Sequence, residues 1–173
     1  MGRGVTATTS GKIRPVVIIK NGALQPNYQK YINAPIVTLT TSNGFNRSTG
    51  PTSCSCSWPG EWGAGTDSDP LYGNFHCQVR INFTTEAIGM KCTVTWTAHA
   101  SARANVSVQI YNNNGNIYRS TEAGTPCYVS NRTSTFLIDQ ENFYFIVKGD
   151  WNNGWTSYWW PSGEASVSHL ELE

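Results

Sequence analysis

Three consecutive segments, Phe75 to Phe83, Met90 to His99 and Ala104 to Tyr111, alternate apolar and polar residues with the two-residue period of a strand that has one wet face. The first turns Phe75, Cys77, Val79, Ile81 and Phe83 inward and sends His76, Gln78, Arg80 and Asn82 outward. The second buries Met90, Cys92, Val94, Trp96 and Ala98 beneath an outer row of Lys91, Thr93, Thr95, Thr97 and His99. The third buries Val106, Val108 and Ile110 and ends at the turn Asn112-Asn113-Asn114-Gly115. A parallel sheet needs both faces covered, so three half-polar strands in succession predict an antiparallel sheet.

The rest of the chain extends the pattern. Arg14 to Lys20 reads as a strand closed by Asn21-Gly22, a strong hairpin signal. Asn21 to Asn33 reads as a polar connection and Pro35 to Thr41 as the next strand. Ser42 to Tyr72 is a long excursion rich in Gly, Ser, Thr and Pro, holding Trp58 and Trp62. Further strands are predicted at Asn116 to Arg119, Thr125 to Val129, Thr135 to Ile138, Asn142 to Lys148 and Ala165 to Leu172. No helix of ten or more residues is expected, because good helix formers are thin in a chain dominated by Thr, Ser, Asn and Gly. The reading is all-β: an antiparallel two-sheet sandwich or jelly roll of about eight to ten strands. With 173 residues it forms one domain over 13–173, preceded by a flexible arm over 1–12.

Charge excludes one class of partner. Twelve Lys and Arg face eleven Asp and Glu, and the basic residues are scattered singly, so no stripe tracks a phosphate backbone and no nucleic-acid partner is expected. Apolar runs such as Val16 to Ile19 are far short of the roughly 20 residues of a membrane span. The first twelve residues contain no apolar leader segment, and their fit to an acylation pattern through Gly2 and Thr6 is one that small polar termini meet by chance.

Five cysteines, Cys54, Cys56, Cys77, Cys92 and Cys127, cannot all enter intrachain disulfides. Cys77 and Cys92 fall on apolar strand faces, which favours buried thiols. Cys54 and Cys56 with His76 and Cys77 could be cast as a zinc site, yet the spacing lacks the paired C-x2-C of structural zinc, and no metal or other cofactor is expected. Gly65-Thr66-Asp67-Ser68-Asp69 begins like a calcium loop and then departs from it, so turn chemistry explains it better.

Catalysis has no positive signal. His76, His99 and His169 lie in or at the ends of strands and outside any nucleophile, zincin or triad motif. Asp139, Glu141, Asp150 and Glu164 could be paired across a cleft as in a glycosidase, but eleven carboxylates in any chain allow such a pairing. A non-enzyme is expected.

Lys148 to Pro161 reads K-G-D-W-N-N-G-W-T-S-Y-W-W-P, with four tryptophans and a tyrosine in one connection. Rings at that density contact something. As a ligand-binding set, Trp151, Trp155, Tyr158, Trp159 and Trp160 form a stacking face, while Asn152, Asn153 and Asp150 hydrogen-bond sugar hydroxyls. Alternatively, several of the rings plug one end of the sandwich and Trp159-Trp160-Pro161 begins a strand.

From Cys92 onward, V-S-V-Q-I-Y-N-N-N-G-N-I, F-L-I-D-Q-E-N-F-Y-F-I-V-K-G and A-S-V-S-H-L-E-L resemble the closing half of the galactose-binding-type jelly rolls of carbohydrate-binding modules. That resemblance implies loops that bind sugar at one end. The opening P-V-V-I-I-K-N-G-A-L-Q-P, together with the tryptophan-rich late segment, resembles small tail, baseplate or head-decoration proteins of bacteriophages. Virion proteins are assembled in a cytoplasm that keeps thiols reduced and meet the exterior only after lysis, which suits a charge-poor, tryptophan-rich surface with an odd cysteine count. The expected role is therefore a structural virion component, in tail, baseplate or capsid, partnered by copies of itself and other virion proteins and touching host surface glycans through the aromatic loop. A stand-alone lectin is the alternative, and a membrane-binding cytolysin with its rings at the lipid interface is the third.

Overall fold

A computed structural model describes residues 15–33, 36–39, 46–57, 75–100, 104–112, 115–124, 127–151 and 162–173. Twelve strands fill most of this length: β1 Val16–Lys20, β2 Ala23–Leu24, β3 Ile36–Leu39, β4 Asn46–Thr49, β5 Ser53–Ser57, β6 Phe75–Asn82, β7 Lys91–Ala100, β8 Ala104–Asn112, β9 Gly115–Gly124, β10 Cys127–Leu137, β11 Tyr144–Trp151 and β12 Ser162–Leu172. One helical turn, α1 Tyr28–Tyr31, and a 3-10 turn at Thr85–Ala87 are the helical pieces among the described residues.

The strands form two antiparallel sheets. Sheet I runs β10-β7-β12-β1-β2, with β5 also paired to β12 and β4 to β5; sheet II runs β3-β6-β11-β8-β9. The protein is an all-β sandwich. β12 is the keystone of sheet I, flanked along one side by β7 and along the other by β5 over Ser162–Ser166 and then by β1 over His169–Leu172. Thr52 sits where these two partners meet. It is buried, its carbonyl accepts from the Val167 amide at 2.9 Å, and its hydroxyl donates to the Gly22 carbonyl.

The alternation read for the first two segments holds at the core, while the side chains of Val106, Val108 and Ile110 lie outside the described residues. Cys77, Val79 and Ile81 from β6 and Phe83 just after it meet Cys92, Val94, Trp96 and Ala98 from β7, with Phe143, Phe145 and Val147 around β11 and Val167, Leu170 and Leu172 from β12. The Asn21-Gly22 turn also forms as expected, with φ of 52° and 73° closing the β1–β2 hairpin. Polar threonines cover the outside of sheet I, where the Thr93 and Thr135 hydroxyls lie 3.3 Å apart and those of Thr95 and Thr133 3.4 Å apart.

Three expectations are revised. The polar connection after Asn21 contains β2 and α1. The long excursion from Ser42 contains β4 and β5, whose sequences, N-R-S-T and S-C-S-C-S, hide a strand because Cys54 is the one described apolar residue that they turn inward. The short strands expected near 116–119, 125–129 and 135–138 are parts of two long ones, β9 and β10. Runs of Ser, Thr, Asn and Arg on an outer edge carry little apolar signal, although the backbone ladder continues through them.

The core is wedge-shaped. At the wide end, Phe136 stacks on Phe143 and Phe145 with ring centroids 5.6 Å apart in each case, and Phe83 meets Phe136 edge-on at 6.0 Å. At the narrow end the inward residues are small: Gly149 and Cys77 from sheet II against Ala98, Ala165, Gly163 and Cys54 from sheet I. A Cβ built on Gly149 would collide with the backbone carbonyl of His99 and lie 2.9 Å from that of Glu164. The Cys77 thiol donates across the same seam to the Gly163 carbonyl at 3.4 Å.

Candidate functional site

The outer face of sheet II differs from that of sheet I in chemistry. Because Phe145, Val147 and Gly149 point inward, strict alternation turns Tyr144, Ile146 and Lys148 of β11 outward, and the same rule turns Gln78, Arg80 and Asn82 outward on β6. The ladder sets these residues in transverse rows: Asn82 opposite Tyr144, Arg80 opposite Ile146, and Gln78 opposite Lys148. The rows continue onto β8 at Tyr111, Gln109 and Ser107, and Ile36 of β3 lies opposite Arg80.

Arg80 is the best-defined side chain of this face. Its guanidinium carbon lies 3.9 Å from the centroid of the Tyr144 ring, and its Nε donates to Asn82 Oδ1 at 2.8 Å. Stacking fixes the plane of the group and the hydrogen bond fixes its rotation, so the cation is held rather than swept through solvent. Ile146, in the middle of the same face, is only 8% exposed, while Gln78, Arg80, Asn82, Tyr144 and Lys148 are all half-buried. The face is therefore a partly desolvated polar surface around an apolar centre, a composition suited to holding a hydroxyl-rich ligand.

Among the described residues, no three His, Cys, Asp or Glu side chains come together to hold a metal ion, and no helix is long and apolar enough to cross a membrane. The thiols of Cys54, Cys77 and Cys92 are buried and form no disulfide. Cys54 is held below the usual thiol range, mainly by a hydrogen bond with Cys77, against the opposing effect of burial. Burial alone pushes Cys92 well above that range. The side chains of Cys56, His76 and Cys127, and the segment around Asp67 and Asp69, lie outside the described residues.

Of the aromatic set, Trp151 ends β11, in register with Phe75 and Ala104, while Asn152, Asn153, Trp155, Tyr158, Trp159 and Trp160 lie outside the described residues. The arm over 1–12 and Trp58 and Trp62 lie outside them as well. The connection carrying the rings leaves sheet II at Trp151 and enters sheet I at Ser162, at the narrow end of the wedge. The Arg80–Tyr144 pair was not legible as a site in the sequence. The alternation of β6 sends Arg80 to the outer face, but its neighbour is set by a strand sixty-odd residues away, and only the β6–β11 register brings the two together.

Neither a protein-family model nor a curated protein sequence matches the chain. Solved structures with a similar course of chain include TmCBM61 in complex with β-1,4-galactotriose, at TM-score 0.46 and 10% identity, covering 91% of this chain and 98% of that one. The N-terminal cellulose-binding domain of a Cellulomonas fimi β-1,4-glucanase C aligns at TM-score 0.41 and 19% identity, over 81% of this chain and 89% of the other. The enzymatically active domain of tailspike protein 4 from bacteriophage CBA120 aligns at TM-score 0.43 and 12% identity, over 91% of this chain but 21% of that one. These are likenesses of architecture.

Proposed function

We propose that this protein is a non-enzymatic carbohydrate-binding domain, with the outer face of sheet II as its platform and the aromatic segment from Trp151 to Trp160, which follows β11 in sequence, as a further binding element. The observation that carries the reading is Arg80 held between the Tyr144 ring and the Asn82 amide, beside Gln78 and Lys148. Planar hydrogen-bonding groups read the hydroxyls at a sugar's rim, and a ring offers a stacking surface to its C–H face. Trp155, Tyr158, Trp159 and Trp160, in the connection that follows β11 in sequence, add candidate stacking rings to this reading. Asn152 and Asn153 then complete the polar part of that set.

A glycan array probed with the full chain tests the reading. Binding lost on Tyr144→Ala places the ligand on the sheet face, and binding lost on Trp155→Ala alone places it at the aromatic segment. A folded chain that binds no glycan overturns the proposal.

A second reading sets this domain in a bacteriophage particle, as a tail, baseplate or capsid-decoration component that assembles with copies of itself and with other virion proteins. It is favoured by the buried thiols of Cys54, Cys77 and Cys92, which suit assembly in a reducing cytoplasm. The native mass of the reduced full chain tests it, with a chain lacking residues 1–12 beside it. A closed oligomer that depends on the arm supports the particle, and a monomer at high concentration overturns it in favour of the stand-alone lectin.

A further inference from the structure

Among the described residues, Arg80 forms no ion pair. Its Nε is committed to Asn82 and its plane to Tyr144, and no carboxylate among the described residues lies within salt-bridge range of its two terminal nitrogens. The strand carboxylate in line with it is Asp150, which pairs with His76, four residues along β6 and so about 13 Å away. Lys148, a diagonal neighbour on β11, adds a second cation to the face. The two remaining N–H pairs of this held guanidinium present the fork that fits a planar carboxylate.

We propose that Arg80 is a specificity residue that selects glycans carrying a carboxylate, the acid group pairing end-on with its two terminal nitrogens. This rests on the carbohydrate-binding reading above and narrows it from sugars in general to acidic ones. Asn82 and Tyr144 act as positioning residues, fixing the rotation and the plane of the fork. Lys148 contributes charge without geometry, since an ammonium is a point charge rather than a fork.

The test uses the full chain and matched oligosaccharide pairs that differ only in whether the sugar carries a hydroxymethyl group or a carboxylate at C6, with a terminal sialoside as a separate arm. Affinities are read by calorimetry at two salt concentrations. The acidic member is expected to bind at least about tenfold more tightly, as one charge-assisted bidentate contact implies. Arg80→Gln should bring the ratio to about one, and Arg80→Lys should restore only part of it. Lys91→Gln is the control: that side chain is exposed and pairs with Glu173 on sheet I, so the ratio should stay at its wild-type value.

A preference for the sialoside over the uronate pair assigns the carboxylate to a chain end, and the reverse assigns it to the body of the glycan; both support the inference. Equal affinity for neutral and acidic members, or a preference that survives Arg80→Gln in a folded protein, overturns it and leaves the carbohydrate-binding reading standing. Failure to bind any member of either kind overturns both.

Discussion

Gly149 of β11 and His99 of β7 face each other across the two sheets with no space for a side chain between them, since any Cβ at Gly149 would strike the His99 carbonyl. Gly149→Ala leaves that backbone nowhere to move, because β7 is held on both sides by β10 and β12. The expected loss lies at or above the upper end of the roughly 1–3 kcal/mol typical of overpacking. Urea unfolding of the variant reads it directly, and a loss within error would show that the seam can open.

Trp96 is 4% exposed, and its indole Nε1 donates to Ser134 Oγ of the edge strand β10 at 2.9 Å. Ser134→Ala strands that N–H without its partner and should cost about 1–2 kcal/mol. Trp96→Phe removes the donor along with part of the ring. A double-mutant cycle should then give a combined loss smaller than the sum of the two single losses, whereas strict additivity would exclude a coupled hydrogen bond.

At the wide end, Phe145 is fully buried and stacked under Phe136, which is itself half-buried. Phe145→Ala is expected to cost about 3–5 kcal/mol, in line with emptying a ring-sized site in a core. Phe136→Ala should cost less, because part of that ring already faces water. Chemical denaturation of the pair ranks them, and the reverse order would contradict the burial described.

Stability above neutral pH should fall because of Cys92. In the unfolded chain its thiol ionises near the ordinary value of about 8.5. In the fold, burial keeps it protonated to higher pH. The unfolded state then holds fewer protons, so stability declines as pH rises past the ordinary value, by up to about 1.4 kcal/mol per pH unit. Cys54 has the opposite sign: its lowered folded value adds stability that is present above the unfolded value and lost as pH falls through the folded one. Thermal melts from pH 8 to 9.5 should show a slope that Cys92→Ala flattens, and an unchanged slope would assign it elsewhere.

The long alternating strands were legible because their inner faces are apolar without interruption. Cys77, Val79 and Ile81, or Cys92, Val94 and Trp96, can be placed by counting in twos. β4, β5 and the outer halves of β9 and β10 were not, because strands of Ser, Thr and Asn at or next to a sheet edge are held by backbone ladders that leave little hydrophobic trace. The site divides the same way. Arg80 could be sent to the wet face from its neighbours in sequence, but its partnership with Tyr144 depends on a pairing register that no local pattern contains. The wedge likewise emerges only when Gly149, Gly163, Ala165 and Cys77, unremarkable one by one, meet at one end.

The position of β12 has a consequence for the order in which the molecule is made. When a ribosome has delivered residues through β11, every strand of sheet II is available to pair, while β1, β5 and β7 still lack the strand that joins them. Sheet II can then form first as a template, leaving three open ladders waiting during synthesis. A message cut short before Ser162 would release a half-built sandwich with those ladders exposed, the kind of product that cells find in inclusion bodies and not in solution.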